Sequence, residues 1–124
     1  MSPLRRLTAC CAAVLLLAGP AAAAETVDLE LVLAVDVSGS IDREEAKLQR
    51  EGYVAAFVDP EVIAAIQGGL HGRIAVTYLE WAGYRHRRLV VGWQVIEGRE
   101  TAQAFAARLA AAPVATGVST SISG

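Results

Sequence analysis

A short apolar run that ends in a carboxylate and two hydroxyls constrains the fold of this chain more than any other stretch. The run extends from Leu31 to Val35. Asp36, Ser38 and Ser40 follow it directly. A brief run dominated by Val and Leu is typical of a buried strand in a parallel sheet. The three polar residues are hard oxygen donors of the kind that Mg²⁺ prefers. The sequence therefore predicts a buried strand with a cation site at its carboxyl end.

The first 24 residues have the pattern of a secretory signal peptide. Arg5 and Arg6 give it a positive start, an apolar core follows, and an A-x-A cleavage signal ends at Ala24. The apolar core is shorter than the ~20 residues that span a membrane. We therefore expect a signal peptide at 1–24, cleavage after Ala24, and a mature domain at 25–124. This domain is expected to be periplasmic or secreted, without a stable membrane span; a retained N-terminal anchor is the alternative.

The predicted mature domain is acidic and contains no cysteine. Both cysteines, Cys10 and Cys11, lie in the predicted signal peptide, so no disulfide can stabilise the exported domain. Cys10 also precedes the apolar core, which argues against lipidation. Without Arg5 and Arg6, 9 basic residues remain against 13 acidic ones, a formal charge of −4. No basic stripe indicates nucleic acid as a partner.

Strand and helix patterns alternate along the predicted mature domain, beginning with a strand at 27–35. The further predicted elements are a helix at 42–58, a helical turn at 61–66, strands at 73–81 and 87–96, and a helix at 100–111. A crossover helix makes the first two strands parallel, and a tight turn makes the third their antiparallel neighbour. The sequence predicts an α/β fold in which the first strand ends buried on both faces.

The first predicted helix has an apolar stripe and a charged outer face. Asp42 and Glu45 have the spacing of a capping box, so Asp42 is interpreted as a helix cap and not as a metal ligand. We place Arg50 on the charged outer face. Gly52 is interpreted as a point of close packing against the sheet.

The pattern Asp-x-Ser-Gly-Ser at the end of a buried strand, with a capped helix after it, resembles the metal-ion-dependent adhesion site of von Willebrand factor type A (vWA) domains. A narrower similarity, to an uncharacterised bacterial family of exported proteins, rests on the stretches 33–42, 80–83 and 120–124. The resemblance implies a Rossmann-like doubly wound sheet of vWA type, with parallel strands 1 and 2, an antiparallel edge strand 3 and two main helices. Since such a domain is longer than 25–124, we expect an N-terminal fragment truncated before strand 4.

The resemblance also implies a set of metal ligands. By motif position, Asp36, Ser38 and Ser40 take the roles of the first loop, and Thr120 takes that of a later threonine. Thr116 is the alternative to Thr120, and the second aspartate of such sites has no counterpart here. The implied cofactor is Mg²⁺ or Mn²⁺, and the implied partner is a protein that supplies a carboxylate. The simpler interpretation makes Ser40 and Thr120 helix caps and Asp36 a turn residue.

We therefore expect an exported, metal-dependent protein-binding or adhesion module without enzymatic activity. One alternative is a metal-dependent phosphatase with Asp36 as nucleophile, although Ser38 stands where many such enzymes have a second acid. The other alternative is a structural envelope protein with a vestigial metal site. The sequence contains no Ser-His-Asp set, Cys-His pair or phosphate-binding glycine loop.

Other polar residues outside the motif receive simpler interpretations. Glu80 and Trp81 are interpreted as rim and packing residues and not as part of a binding face. The basic run 85–88 is interpreted as a solvated edge that discourages strand pairing, with an anion or partner site as the alternative. His71 and His86 have no metal-binding neighbours at ligand spacing, so we expect ordinary surface histidines.

Overall fold

Three strands and three helices form the part of the chain that the structure, a computed structural model, describes: residues 24–39 and 41–114. The elements are, in chain order, β1 (Leu29–Asp36), α1 (Arg43–Val58), α2 (Pro60–Gln67), β2 (Ile74–Ala82), β3 (His86–Ile96) and α3 (Arg99–Ala111). The predicted signal peptide lies outside the described residues except for Ala24.

The sheet has the strand order β1-β2-β3. β1 and β2 are parallel, and β2 and β3 form an antiparallel hairpin whose turn contains Gly83 at a φ of 64°. A positive φ favours glycine, which explains the residue at this turn. The predicted α/β fold, with its crossover helix and antiparallel edge strand, is confirmed.

The starts of the first two helices follow from local side-chain chemistry. Asp42 Oδ1 accepts a hydrogen bond from the backbone N–H of Glu45 at 2.9 Å, and Glu45 Oε2 accepts one from Asp42 at 3.0 Å. This capping box is the predicted one. At α2, Asp59 is the cap and Pro60 is the first residue, a position that suits its fixed φ. No helix within residues 24–39 and 41–114 has the length and apolar character needed to cross a membrane.

The hydrophobic core joins the three helices to one face of the sheet. Phe57 of α1 and Phe105 of α3 pack edge to face, with their ring centroids 4.7 Å apart. The buried core residues are Val35, Phe57, Ile63, Ile66, Ile74, Val76, Tyr78, Val91, Ile96, Ala102, Phe105, Ala106 and Leu109. The core residues of β2, Ile74, Val76 and Tyr78, alternate along the strand, as one buried face requires. In β3 the core residues are Val91 and Ile96, and the pairing of β2 with β3 is irregular around Tyr78. The buried residues of α3, Ala102, Phe105, Ala106 and Leu109, form one apolar stripe at helical spacing.

The opposite face of the sheet is open within the described part of the chain. Val32 of β1 is 50% exposed, Leu89 of β3 is 65% exposed and Trp93 is 55% exposed. The prediction that β1 ends buried on both faces is wrong for the described residues, because the helices there pack on a single face. The interpretation of Gly52 is also wrong: it is exposed, and a Cβ atom there would meet nothing within 4 Å.

Candidate functional site

Asp36 is the last residue of β1 and lies at the carboxyl edge of the sheet. Its Cα partner in β2 is Trp81, so both parallel strands end at this edge. The backbone N–H of Val37 donates to Trp81 O at 2.9 Å, which continues the pairing one residue beyond Asp36. Ligand sites of parallel α/β sheets lie at such carboxyl ends. The fold thus presents Asp36, which is half-buried, at the edge where the sequence predicts a site.

A tight turn after β1 places Ser38 in hydrogen-bonding contact with the Asp36 carboxylate. The backbone N–H of Ser38 donates to Asp36 Oδ1 at 2.8 Å, and the N–H of Ile41 donates to Ser38 O at 3.0 Å. The Ser38 hydroxyl, and then its backbone N–H, lower the pKa of the Asp36 carboxyl, while burial acts in the opposite direction. Asp36 is therefore ionised at neutral pH.

The donor chemistry of this pair fits a small divalent cation. A carboxylate and a hydroxyl are hard oxygen donors, and Mg²⁺ binds such groups while keeping several water molecules. A hydroxyl that donates its proton to a carboxylate still has oxygen lone pairs for a cation. Asp36 and Ser38 are thus the residues of the described chain that could hold Mg²⁺ or Mn²⁺ at this edge.

The structure brings together two of the four predicted ligands. Asp36 and Ser38 are in contact, whereas Ser40 and Thr120, together with the alternative Thr116, lie outside the described residues. Within residues 24–39 and 41–114, no group of three or more His, Cys, Asp or Glu side chains is arranged to hold a metal ion.

A buried ionic network beneath the same edge was not predicted. Glu80 of β2 is 4% exposed, and its two carboxylate oxygens accept hydrogen bonds from Arg50 of α1 and from Arg88 of β3. The Arg88 Nη2 to Glu80 Oε2 distance is 2.8 Å. Arg50 Nη1 also donates to Leu109 O and to Ala112 O, each at 2.9 Å. One buried carboxylate thus connects a helix, two strands and the end of α3.

This network corrects one interpretation. The placement of Arg50 on the outer face of its helix is wrong, because Arg50 is 4% exposed and points into the protein. The run 85–88 is exposed, as interpreted, and the Arg88 side chain, which is 42% exposed, also contacts Glu80. Glu80 itself is a buried ion-pair partner. The missed signal is its period-2 position on the buried face of β2, because a buried carboxylate requires a cationic partner.

Several other expectations agree with the structure. Asp42 caps α1, and its carboxylate is engaged by Glu45. His71 and His86 are exposed. Trp81 is 39% exposed on the open face of the sheet, next to Asp36.

A family model described as "Protein of unknown function (DUF1194)" matches residues 26–124, which is most of the chain. No curated protein and no solved structure matches.

Proposed function

The chain belongs to the family described as "Protein of unknown function (DUF1194)", and we propose that it is an exported protein-binding module that depends on Mg²⁺ or Mn²⁺. The cation site is centred on Asp36 and Ser38. The vWA-type motif adds Ser40 and Thr120 as further ligands. Export follows from the signal-peptide pattern of 1–24 and leads to the periplasm or the cell exterior.

One observation supports this proposal more than any other: Ser38 folds back onto the ionised Asp36 carboxylate at the carboxyl edge of a parallel strand pair. The turn pre-organises two oxygen donors on a rigid strand end. Pre-organisation of this kind reduces the entropy that is lost when a ligand binds.

The composition of the site favours a binding role. Hydroxyl ligands carry no charge, so a divalent cation held by one carboxylate and hydroxyls keeps a net positive charge. Because Mg²⁺ prefers six oxygen ligands, a coordination position remains for a carboxylate of a partner protein. Helix α1 begins close by in the chain, at Arg43, and its N-terminal end adds partial positive charge that favours an incoming anion.

Metal binding by the full-length chain tests this proposal. We expect Mg²⁺ and Mn²⁺ to raise the melting temperature, since a ligand at 100 times its Kd stabilises the folded state by about 2.7 kcal/mol. Asp36→Asn should abolish the shift while keeping an acceptor for the Ser38 N–H. Glu30→Gln is the matched control, because Glu30 is an exposed carboxylate elsewhere on β1. The absence of a shift in the wild type, or an unchanged shift in Asp36→Asn, would overturn the proposal.

A second measurement separates binding from catalysis. We expect the Mg²⁺-loaded protein to leave p-nitrophenyl phosphate intact. Turnover that requires both Mg²⁺ and Asp36 would instead identify a phosphatase.

A further inference from the structure

A groove lies on the open face of the sheet in the described part of the chain. It has a volume of about 600 Å³, and its lining residues come from β1, β2 and the β2–β3 hairpin: Ala34, Leu79, Trp81, Gly83, Tyr84 and Arg87. Trp81 is 39% exposed and Tyr84 is 100% exposed. Tryptophan, tyrosine and arginine are the residue types that contribute most to binding at protein interfaces. The lining therefore has the composition of a recognition site.

The register of the three strands places this groove next to the cation site. Trp81 is the Cα partner of Asp36 in β1 and of Arg87 in β3, so these three residues form one row across the sheet. Paired residues point to the same face of a sheet, as do residues two apart on one strand. Asp36 therefore shares a face with Ala34, which lines the groove. Since neighbouring strands lie about 4.8 Å apart, the Cα atoms of Asp36 and Arg87 are about 10 Å apart.

Both ends of this row attract carboxylates. At one end, the proposed cation on Asp36 has a coordination position for a carboxylate of a partner. At the other end Arg87 is exposed, and its neighbours Arg85 and His86 are exposed as well. No acidic side chain lines the groove within the described residues. Because arginine pairs with carboxylates through charge-assisted hydrogen bonds, the groove offers an aromatic floor between two sites for negative charge.

We propose that the groove recognises a partner segment in which an apolar side chain stands between two carboxylates. This inference rests on the proposed function, because one carboxylate completes the coordination of the cation at Asp36. The apolar side chain packs on Trp81 and Tyr84, and the second carboxylate pairs with Arg87. Trp81, expected from the sequence to be a packing residue, thus takes a binding role.

Peptides of defined sequence test the proposal with the full-length protein. Alternate side chains of an extended segment lie on one side, so the pattern acid-x-apolar-x-acid places its two acidic residues about 14 Å apart. The length of the Arg87 side chain makes up the difference from the row. The probe is the capped peptide acetyl-Glu-Gly-Phe-Gly-Glu-amide, titrated in excess Mg²⁺. Its two control peptides replace the phenylalanine by glycine or the last glutamate by glutamine.

Two variants assign the two contacts. The probe should bind about tenfold tighter than the glycine peptide, the scale for burying much of a phenylalanine side chain. It should bind about fivefold tighter than the glutamine peptide, the scale for an exposed ion pair. Trp81→Ala should remove the first difference and Arg87→Gln the second. The matched controls Trp93→Ala and Arg85→Gln should keep both differences, since each removes an exposed residue of the same type outside the groove lining.

Measurements on the free protein test for two other occupants of the groove. A second copy of the chain would appear as a dimer in sedimentation analysis, and Trp81→Ala would make it a monomer. Cover by the chain outside the described residues would shield the Trp81 indole from acrylamide, which fluorescence quenching detects when the wild type is compared with Trp81→Phe. Either result would contradict the proposal, whereas a monomer with a quenchable Trp81 supports it.

Mg²⁺ binding separates this inference from the proposed function. If the wild type binds Mg²⁺ but does not distinguish the three peptides, or if both variants keep the differences, the recognition role is overturned and the cation site stands. If the wild type binds no Mg²⁺, the proposed function fails, and the probe alone decides about the groove. Probe binding that Trp81→Ala and Arg87→Gln both weaken then supports recognition by the groove, and any other result overturns it.

Discussion

The Asp28 carboxylate occupies the space that a side chain on Gly69 would need: a Cβ atom at Gly69 would be 2.7 Å from Asp28 Cγ. The carboxylate is held there by the backbone N–H groups of His71, at 2.8 Å, and of Arg73, at 3.2 Å. Asp28 N also donates to Arg73 O at 2.8 Å. The start of β1 is thereby tied to the turn that leads into β2.

Gly69→Ala should destabilise the protein, because the added methyl group displaces a carboxylate that two hydrogen bonds hold in place. We expect a measurable loss in the free energy of unfolding, because the carboxylate must leave the two N–H groups of His71 and Arg73 to make room for the methyl group. Urea unfolding measures this loss. The matched control is Gly68→Ala, where a Cβ atom would be in ordinary contact at 3.4 Å from Ala64 O and φ is −76°. Equal losses at the two positions would contradict the assigned role of Asp28.

Asp28 should also make the stability of the protein depend on pH. The His71 backbone N–H is the main cause that lowers the pKa of the Asp28 carboxyl below its ordinary 3.8. A lowered pKa in the folded state stabilises the fold above the unfolded-state pKa, and this stabilisation is lost as pH falls through the folded-state pKa.

The variant Asp28→Asn measures this effect, since it removes the charge and keeps an oxygen acceptor. At pH 7 the wild type should be more stable than Asp28→Asn in urea unfolding. The difference should shrink as the pH is lowered below 3.8. A difference that stays constant or grows from pH 7 to the acid range would show that the charge of Asp28 does not stabilise the fold.

The Arg50–Glu80 pair should show strong energetic coupling. Each side chain is 4% exposed. Glu80→Gln leaves Arg50 as a buried, uncompensated charge, and Arg50→Met leaves the buried Glu80 carboxylate with Arg88 as its remaining partner. Arg50→Met or Glu80→Gln alone should cost about 3–5 kcal/mol, whereas the double variant should cost clearly less than the sum of the two. A double-mutant cycle by urea unfolding measures the coupling, and additive losses would refute it.

Two leucines on helices test the assignment of the core. Leu109 of α3 is 0% exposed and Leu48 of α1 is 65% exposed. Leu109→Ala should cost about 2–5 kcal/mol through lost burial and a residual cavity. Leu48→Ala should change the free energy of unfolding by about 0.5 kcal/mol or less. Urea unfolding of the two variants measures both losses. Similar losses would contradict the assignment of Leu109 to the core.

The order and type of the elements, and the turn that joins Asp36 to Ser38, follow from local patterns in the sequence. The predicted first helix at 42–58 is observed as Arg43–Val58, because its start depends on a capping box between residues three apart. The predicted second strand at 73–81 is observed as Ile74–Ala82. This prediction needs only the period-2 pattern of side chains, which can be read within a single strand. Asp36 and Ser38 are in contact through a turn between residues two positions apart, which also depends on local sequence alone.

Which charged residues are buried, and which face of the sheet is open, depends on contacts between segments that are distant in the chain. Arg50 lies among charged helix residues that do face solvent, and its partner Glu80 is 30 positions away in the chain. Helical periodicity reports the neighbours of a residue on its own helix and contains no information about the strand packed against it. Burial of an ion pair is a property of the assembled layers, so it follows from contacts between distant segments and not from any local pattern.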